Sequence, residues 1–446
     1  MTFSCRTLSV FCFALLSAGL ALAPHRTAAQ AAPQAAAAAQ PAPASPQNAY
    51  TLPPDKLAKA IAVNRIRSVM DIVGGIWGFA VLWLLLATRA AAGLGVWAER
   101  VFRARWLQGL LFFAVLIVIL TIASLPLDMF SHHVSVSYGI SIQGWASWFG
   151  DQGKSLALSV VFGALVLLFF NWIVRVSPRR YWLWIWAVTI PLIVLVLFVS
   201  PLLEPLFNKF EPLSKDHAAL VGKLEQVVAR TGTNIPPDRM FLMKASEKTN
   251  GLNAYVSGIG ATKRIVVWDT TAGRIPDDEV MFVFGHESGH YVLNHIPKMI
   301  GIMIVALFFV YWGCASLSEW LVRRFGARWG LRADNPLASR AGFVVLIFAL
   351  SLAGFVLEPA NNSMSRFFEH EADVYGQEAI HGLVPDPQKT AVAGFNALGA
   401  AYLEDPDPNP LIEFWEYNHP SVKTRANFAA QYDPWANGGK GKFFDK

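Results

Sequence analysis

WLWIWAVTIPLIVLVLFVSPLL, residues 182–203, carries no charged side chain from end to end. A helix rises about 1.5 Å per residue and the hydrocarbon of a bilayer is about 30 Å thick, so roughly 20 apolar residues make a membrane-crossing helix. Comparable runs lie near 69–88, 106–125, 156–174, 299–317 and 341–359. A buried helix of a soluble core could imitate one such run, but not six. Trp106, Trp172, Trp182 and Trp184 stand near run ends, where indole rings suit the membrane interface. With 54% hydrophobic and 15% charged residues, the chain reads as a mostly α, polytopic helical membrane protein.

The net charge of +6 does not point to nucleic acid, because the arginines cluster between the hydrophobic runs. Arg89, Arg100, Arg103 and Arg105 follow the first run. Arg175, Arg179 and Arg180 separate the third from the fourth. Arg323, Arg324, Arg328 and Arg332 separate the fifth from the sixth, whereas the loop from Ser131 to Lys154 has a single basic residue besides histidine. Basic loops face the cytoplasm. Residues 204–297 and the segment from Asn361 onward are therefore expected on the other side.

Residues 1–29 read as a signal peptide or first anchor, with Arg6 ahead of an apolar stretch from Leu8 to Ala23 and small residues at Thr27-Ala28-Ala29. An Ala-, Pro- and Gln-rich stretch follows, read as a disordered linker over 30–66. The remaining division is helical spans over 67–205, an α/β insert over 206–297, further spans over 298–360 and a C-terminal helical segment over 361–446. Cys5 and Cys12 fall in the leader and Cys314 in a hydrophobic run, so no disulfide framework is available.

The insert is too polar to lie in lipid. Residues 214–230 have helical periodicity, and Arg239–Lys244, Ala254–Ser257 and Arg264–Trp268 read as short strands. Pro276-Asp277-Asp278-Glu279 then opens a helix, with acids at its positive end. That helix carries His286-Glu287-Ser288-Gly289-His290. Two histidines four apart share a helix face and can reach one metal ion, while the glutamate beside the first can take a proton from water.

Two histidines leave a zinc site incomplete. Glu369 and Asp373, just past the sixth run, are four apart on one helix face. One can bind metal while the other accepts the free N–H of a ligating histidine. The competing reading is a solvated acidic helix end, and spacing alone leaves His370 and Glu371 as rival ligands.

Several motifs together resemble the type I CAAX prenyl proteases, membrane zinc metalloproteases with an intramembrane chamber. They are Asn253-Ala254-Tyr255, Thr262-Lys263-Arg264-Ile265-Val266-Val267 with Asp269-Thr270, Gly285-His286-Glu287 through His290 to His295, Ser365-Arg366-Phe367-Phe368-Glu369 with Ala372-Asp373, and His419-Pro420 with Arg425. The resemblance implies His286, His290 and Glu369 as zinc ligands, Glu287 as base and Asp373 as the outer partner of a ligand. It implies that Asn253 and Ala254 lie on an edge strand that pairs with substrate backbone, against the alternative of a plain structural edge. His419 would help stabilise the oxyanion, with Arg425 or Arg366 supporting the site electrostatically, whereas His419 alone would read as a surface histidine. His295 is read as structural. Ser288 and Ser421 depart from the family pattern without touching this chemistry. The family's eukaryotic members present the site to the cytosol, whereas three basic loops here place it on the opposite face.

The expected function is a membrane-integrated zinc metalloendopeptidase, holding one Zn2+ per chain. Its partners are a peptide or protein substrate and the lipid bilayer, with no nucleic acid, and the chain is expected to be a monomer. The expected location is a bacterial inner membrane with the site on the periplasmic side. A polytopic transporter for the metal and an inactive scaffold with a structural zinc are the alternatives. Transporters place ligands at mid-membrane, and structural sites fill all four positions.

Overall fold

The structure, a computed structural model, describes residues 49–258, 260–332 and 336–444. The signal-like segment lies outside them. Among the described residues six helices are long and apolar enough to cross a membrane. They are α1 (Pro54–Ala87), α3 (Arg105–Ser137), α4 (Trp145–Val176), α5 (Tyr181–Leu203, continued by a 3-10 turn to Leu206), α9 (His295–Phe325) and α10 (Arg340–Ile380). A shorter helix, α2 (Ala90–Val101), lies between the first two. The helices outrun the hydrophobic runs because their ends continue as polar turns beyond the apolar stretch.

α10 is the central helix: 61% of its apolar window is buried, against 17% in α1. Phe343, Val344 and Val345 pack with Phe112, Phe113 and Leu116 of α3 and Leu167 and Phe170 of α4. The outer helices leave Leu84, Ile122, Leu165 and Phe309 exposed, an apolar surface that only lipid would cover. At one end of the bundle the basic loops meet. Arg332 and Arg340 both pair with Glu99, and Arg89 Nε donates to the Arg328 carbonyl at 2.9 Å. At the other end the loop between α3 and α4 is stitched to the insert, where Ile142 N donates to Lys248 O at 3.0 Å and Lys248 Nζ meets Asp151 at 2.6 Å.

The insert contains helix α6 (Ala218–Thr231) and a four-stranded sheet of β1 (Phe210–Pro212), β2 (Met240–Met243), β3 (Ala254–Ser257) and β4 (Arg264–Trp268), in the order β1-β2-β4-β3. β2 and β4 are parallel, and the outer pairs are antiparallel. The β3–β4 hairpin needs glycine at Gly258, where φ is +86° and a Cβ would meet the Thr262 carbonyl oxygen at 2.2 Å. After the short α7 (Asp269–Ala272) comes α8 (Asp277–Val292), whose acidic first turn is held by Lys223 of α6. Past α10, helices α11 (Pro387–Tyr402), α12 (Pro410–Glu416) and α13 (Val422–Gln431) close over the insert, with Phe395 edge-on to Phe282 of α8.

Two expectations change. The linker expected over 30–66 ends early: α1 starts at Pro54, and Tyr50 is buried with its hydroxyl donating to the Glu404 carbonyl at 3.1 Å. Its aromatic ring finds a seat against Gly399, which composition does not reveal. β1 was also not anticipated, being three residues long and ending in proline.

Candidate metal centre

α8 and α10 cross at glycines. A Cβ on Gly376 would lie 2.7 Å from the backbone nitrogen of His286, and one on Gly285 would lie 3.0 Å from the Gly376 carbonyl oxygen. With no side chains between them, the backbones touch, and His286 and His290 of α8 come to face Glu369 and Asp373 of α10. Counted from Arg340, Glu369 lies about 44 Å along its helix, beyond the apolar run and at the end of the bundle away from the basic loops.

His286, His290 and Glu369 present ligand atoms that all lie within 4.8 Å of one another. His286 Nε2 is 3.1 Å from His290 Nε2 and 3.2 Å from Glu369 Oε2, and His290 Nε2 is 3.5 Å from Glu369 Oε1. Glu369 Oε2 is buried and accepts no hydrogen bond among the described residues. A buried carboxylate favours positively charged surroundings, and two imidazole nitrogens lie at 3.2 Å from this oxygen without an aligned hydrogen bond. The chemistry at His286 agrees. Burial would lower its pKa, but the carboxylates of Asp373 and Glu369 outweigh that and raise it to about 9. Two imidazoles and a carboxylate are a donor set that zinc takes, so the residues present fit the group.

Around this cluster, His286 Nδ1 lies 2.9 Å from Asp373 Oδ1, an ion-pair separation outside hydrogen-bond alignment. Asp373 is gripped in turn by a fork from Arg425, with Nε at 2.9 Å and Nη2 at 2.5 Å. Arg425, on α13, is also 3.9 Å from Glu369 Oε2. His419 is buried just ahead of α13, with Nε2 3.2 Å from Glu369 Oε2 and Nδ1 2.8 Å from Asn418 Oδ1. Glu287, half-buried beside His286, has no hydrogen bond or ion pair among the described residues, which leaves its carboxylate open. β3 is an edge strand of the sheet and packs against α8. Asn253, just ahead of it, has its backbone N–H and carbonyl tied to Thr271 Oγ1, and Ala254 is buried.

Arg366 stands apart from the cluster. Its guanidinium donates to the Tyr417 carbonyl at 2.5 Å and to Ser363 Oγ at 2.7 Å, so it holds the segment carrying His419 rather than a carboxylate of the site. Of the rival ligands, His370 is exposed against the Phe428 ring, and Glu371 pairs with His295 and Lys442. His295, expected to be merely structural, is wholly buried with Nδ1 3.1 Å from His290 Nδ1. Asn294 makes this possible: its left-handed backbone, φ 56°, breaks α8 from α9 and returns the next side chain toward His290.

Residues 34–209 match the model for the CAAX prenyl protease N-terminal region with five membrane helices, and residues 214–433 match that for peptidase family M48. An uncharacterized metalloprotease of Bacillus subtilis, YhfN, is 33% identical over 403 residues, 90% of each chain. This chain belongs to peptidase family M48. Among other M48-type relatives, CAAX prenyl protease 1 of Saccharomyces cerevisiae is 27% identical over 335 residues, 71% of each chain. The crystal structure of S. mikatae Ste24p shares the fold, with a TM-score of 0.71, 22% identity and coverage of 96% of this chain and 97% of that one. As an M48 protein the chain is a multi-pass membrane metalloprotease acting on peptide or protein substrates, which sets aside the transporter and scaffold readings.

Proposed function

We propose that the chain is a zinc endopeptidase in which His286, His290 and Glu369 hold one zinc ion and Glu287 is the general base. The observation that carries this reading is the convergence of three ligand atoms from two helices, His286, His290 and the buried Glu369, within 4.8 Å of one another. When bound there, zinc would supply Lewis-acid activation of a water molecule and of the scissile carbonyl. Glu287, open and adjacent to His286, takes the proton of the attacking water and returns it to the leaving amine. The Nε2 edge of His419 donates to the oxyanion as it forms. Asp373, 2.9 Å from His286 Nδ1, holds that edge of the ring so that Nε2 turns inward, and Arg425 holds Asp373. Substrate backbone pairs along β3 from Ala254 onward, which reads peptide with little demand on side chains, while Asn253, whose backbone N–H and carbonyl are taken by Thr271, fixes where the edge begins.

The site faces the side opposite the basic loops, the periplasm if the membrane is a bacterial inner one. Peptides exposed on that face are the substrate class this supports, cleaved by a monomer. Glu287→Gln should retain zinc and lose peptide cleavage by about 100-fold or more. Cleavage at wild-type rate by that purified variant would refute the assignment of the base.

A further inference from the structure

Lys442, Phe443 and Phe444 lie against α10 at the end of the described chain, held there by Glu378. That wholly buried carboxylate accepts the backbone N–H groups of Lys442, Phe443 and Phe444 at 2.6, 2.7 and 3.0 Å, together with the Tyr432 hydroxyl. A buried carboxylate is costly unless donors surround it, and here the tail supplies most of them. The rings of Phe443 and Phe444 pack on Tyr375, which in turn fills the space beside Gly289 of the metal helix. Gly441 permits the approach: a Cβ there would lie 2.4 Å from the Phe444 carbonyl oxygen and 2.6 Å from Glu378 Oε2.

Docked this way, the tail delivers one charged group toward the metal centre. Lys442 Nζ lies 3.2 Å from Glu371 Oε1, and Glu371 Oε2 is 3.4 Å from His295 Nε2, an ion-pair separation rather than an aligned hydrogen bond. His295 Nδ1 is 3.1 Å from His290 Nδ1, which leaves His290 Nε2 for the ligand cluster. A ligating histidine needs its second nitrogen held if the ring is to stay aimed at the metal. His286 has Asp373 for this, whereas His290 has His295.

We propose that the C-terminal tail is a positioning device for the metal centre, in which Lys442, through Glu371 and His295, fixes the ring of His290. The inference rests on the reading of His290 as a zinc ligand. Lys442 is itself half-exposed, so its contribution is geometric, fixing the position of the largely covered Glu371 carboxylate, rather than a large Coulombic stabilisation. Lys442, Glu371 and His295 are positioning residues and touch no substrate.

The test uses the full-length, detergent-purified protein loaded with zinc, and a cobalt(II)-substituted form. Lys442→Met, and separately deletion of residues 441–446, should each raise the rate of zinc loss to a chelator by ~10-fold. Each should also shift the cobalt absorption bands and lower kcat with KM unchanged, while Lys442→Arg stays near wild type. In a His295→Phe background, Lys442→Met should add nothing further. Wild-type zinc loss and cobalt spectra in both tail variants would overturn the proposal, as would a full additional effect in the His295→Phe background. His290→Ala separates the two readings. If it keeps a full zinc complement, the ligand assignment fails; if it loses zinc while the tail variants hold theirs as wild type does, only the role of the tail fails.

Discussion

Gly376→Ala tests whether backbone contact between α8 and α10 is what assembles the metal centre. The added methyl would lie 2.7 Å from His286 N, 2.9 Å from its Cα and 3.1 Å from its Cβ. Ordinary contact begins near 3.5 Å, so the helices must part locally by about 0.8 Å. Neither side offers a rotamer that could absorb this, because the clashing atoms are mostly backbone. Zinc sites tolerate departures of about 0.2 Å in ligand distance, so separating His286 from Glu369 by several times that should be felt directly. Overpacking of this kind costs about 1–3 kcal/mol, which corresponds to a roughly 5- to 150-fold loss of metal affinity if it falls on the bound state. The assay is zinc competition against a chelator, followed by peptide cleavage at saturating zinc. Gly222→Ala on α6 is the control, since a Cβ there meets nothing within 4 Å. That change should be neutral or stabilise by about 0.5–1 kcal/mol, as alanine does in a helix. Unchanged zinc affinity and turnover in Gly376→Ala would refute the argument.

Glu369→Ala should abolish stoichiometric zinc binding, whereas His370→Ala should leave zinc content unchanged; metal analysis of the two purified variants decides between the ligand and its rival. Zinc affinity should depend on pH through His286, whose pKa is raised to about 9. Below that value metal must displace a proton, so affinity should rise about tenfold per pH unit as pH climbs toward 9 and then level off; chelator competition from pH 6 to 9 would expose a flat profile. Arg425→Met leaves the buried Asp373 without its forked partner, and breaking a buried pair this way costs about 3–5 kcal/mol, read as a lowered thermal midpoint. Arg366→Met should act differently, releasing the segment that carries His419 and lowering kcat while zinc content stays near wild type.

The parts legible in the sequence are those with a period or a length. Spans are readable because about 20 uncharged residues have few alternatives to a membrane. β3 and β4 are readable to the residue because β-branched residues stand between turn signals. The start of α1 was hidden by composition: its first turns carry Lys56, Lys59 and Asn64 and resemble linker until Tyr50 docks on α11. Rival ligands could not be separated by type, since Glu369, His370 and Glu371 are consecutive. Helix rotation separates them, each successive residue turning by about 100°, so that Glu369 and Asp373 share the face turned to α8 while His370 points away. Arg366 illustrates the reverse error, a conspicuous arginine near the site whose hydrogen bonds go to a neighbouring loop.

The sequence by itself determined that this chain crosses a membrane several times and carries a two-histidine metal motif with a glutamate at its side. Both are local properties, set by run length and by spacing along one helix. The tertiary structure decided which carboxylate lies beside the histidines, which side chains face their second nitrogens, and that residues 442–444 pack against the helix that carries Glu369. Those relations depend on how closely two helices approach at Gly285 and Gly376 and on where the chain returns after hundreds of residues, and neither is encoded in any short stretch.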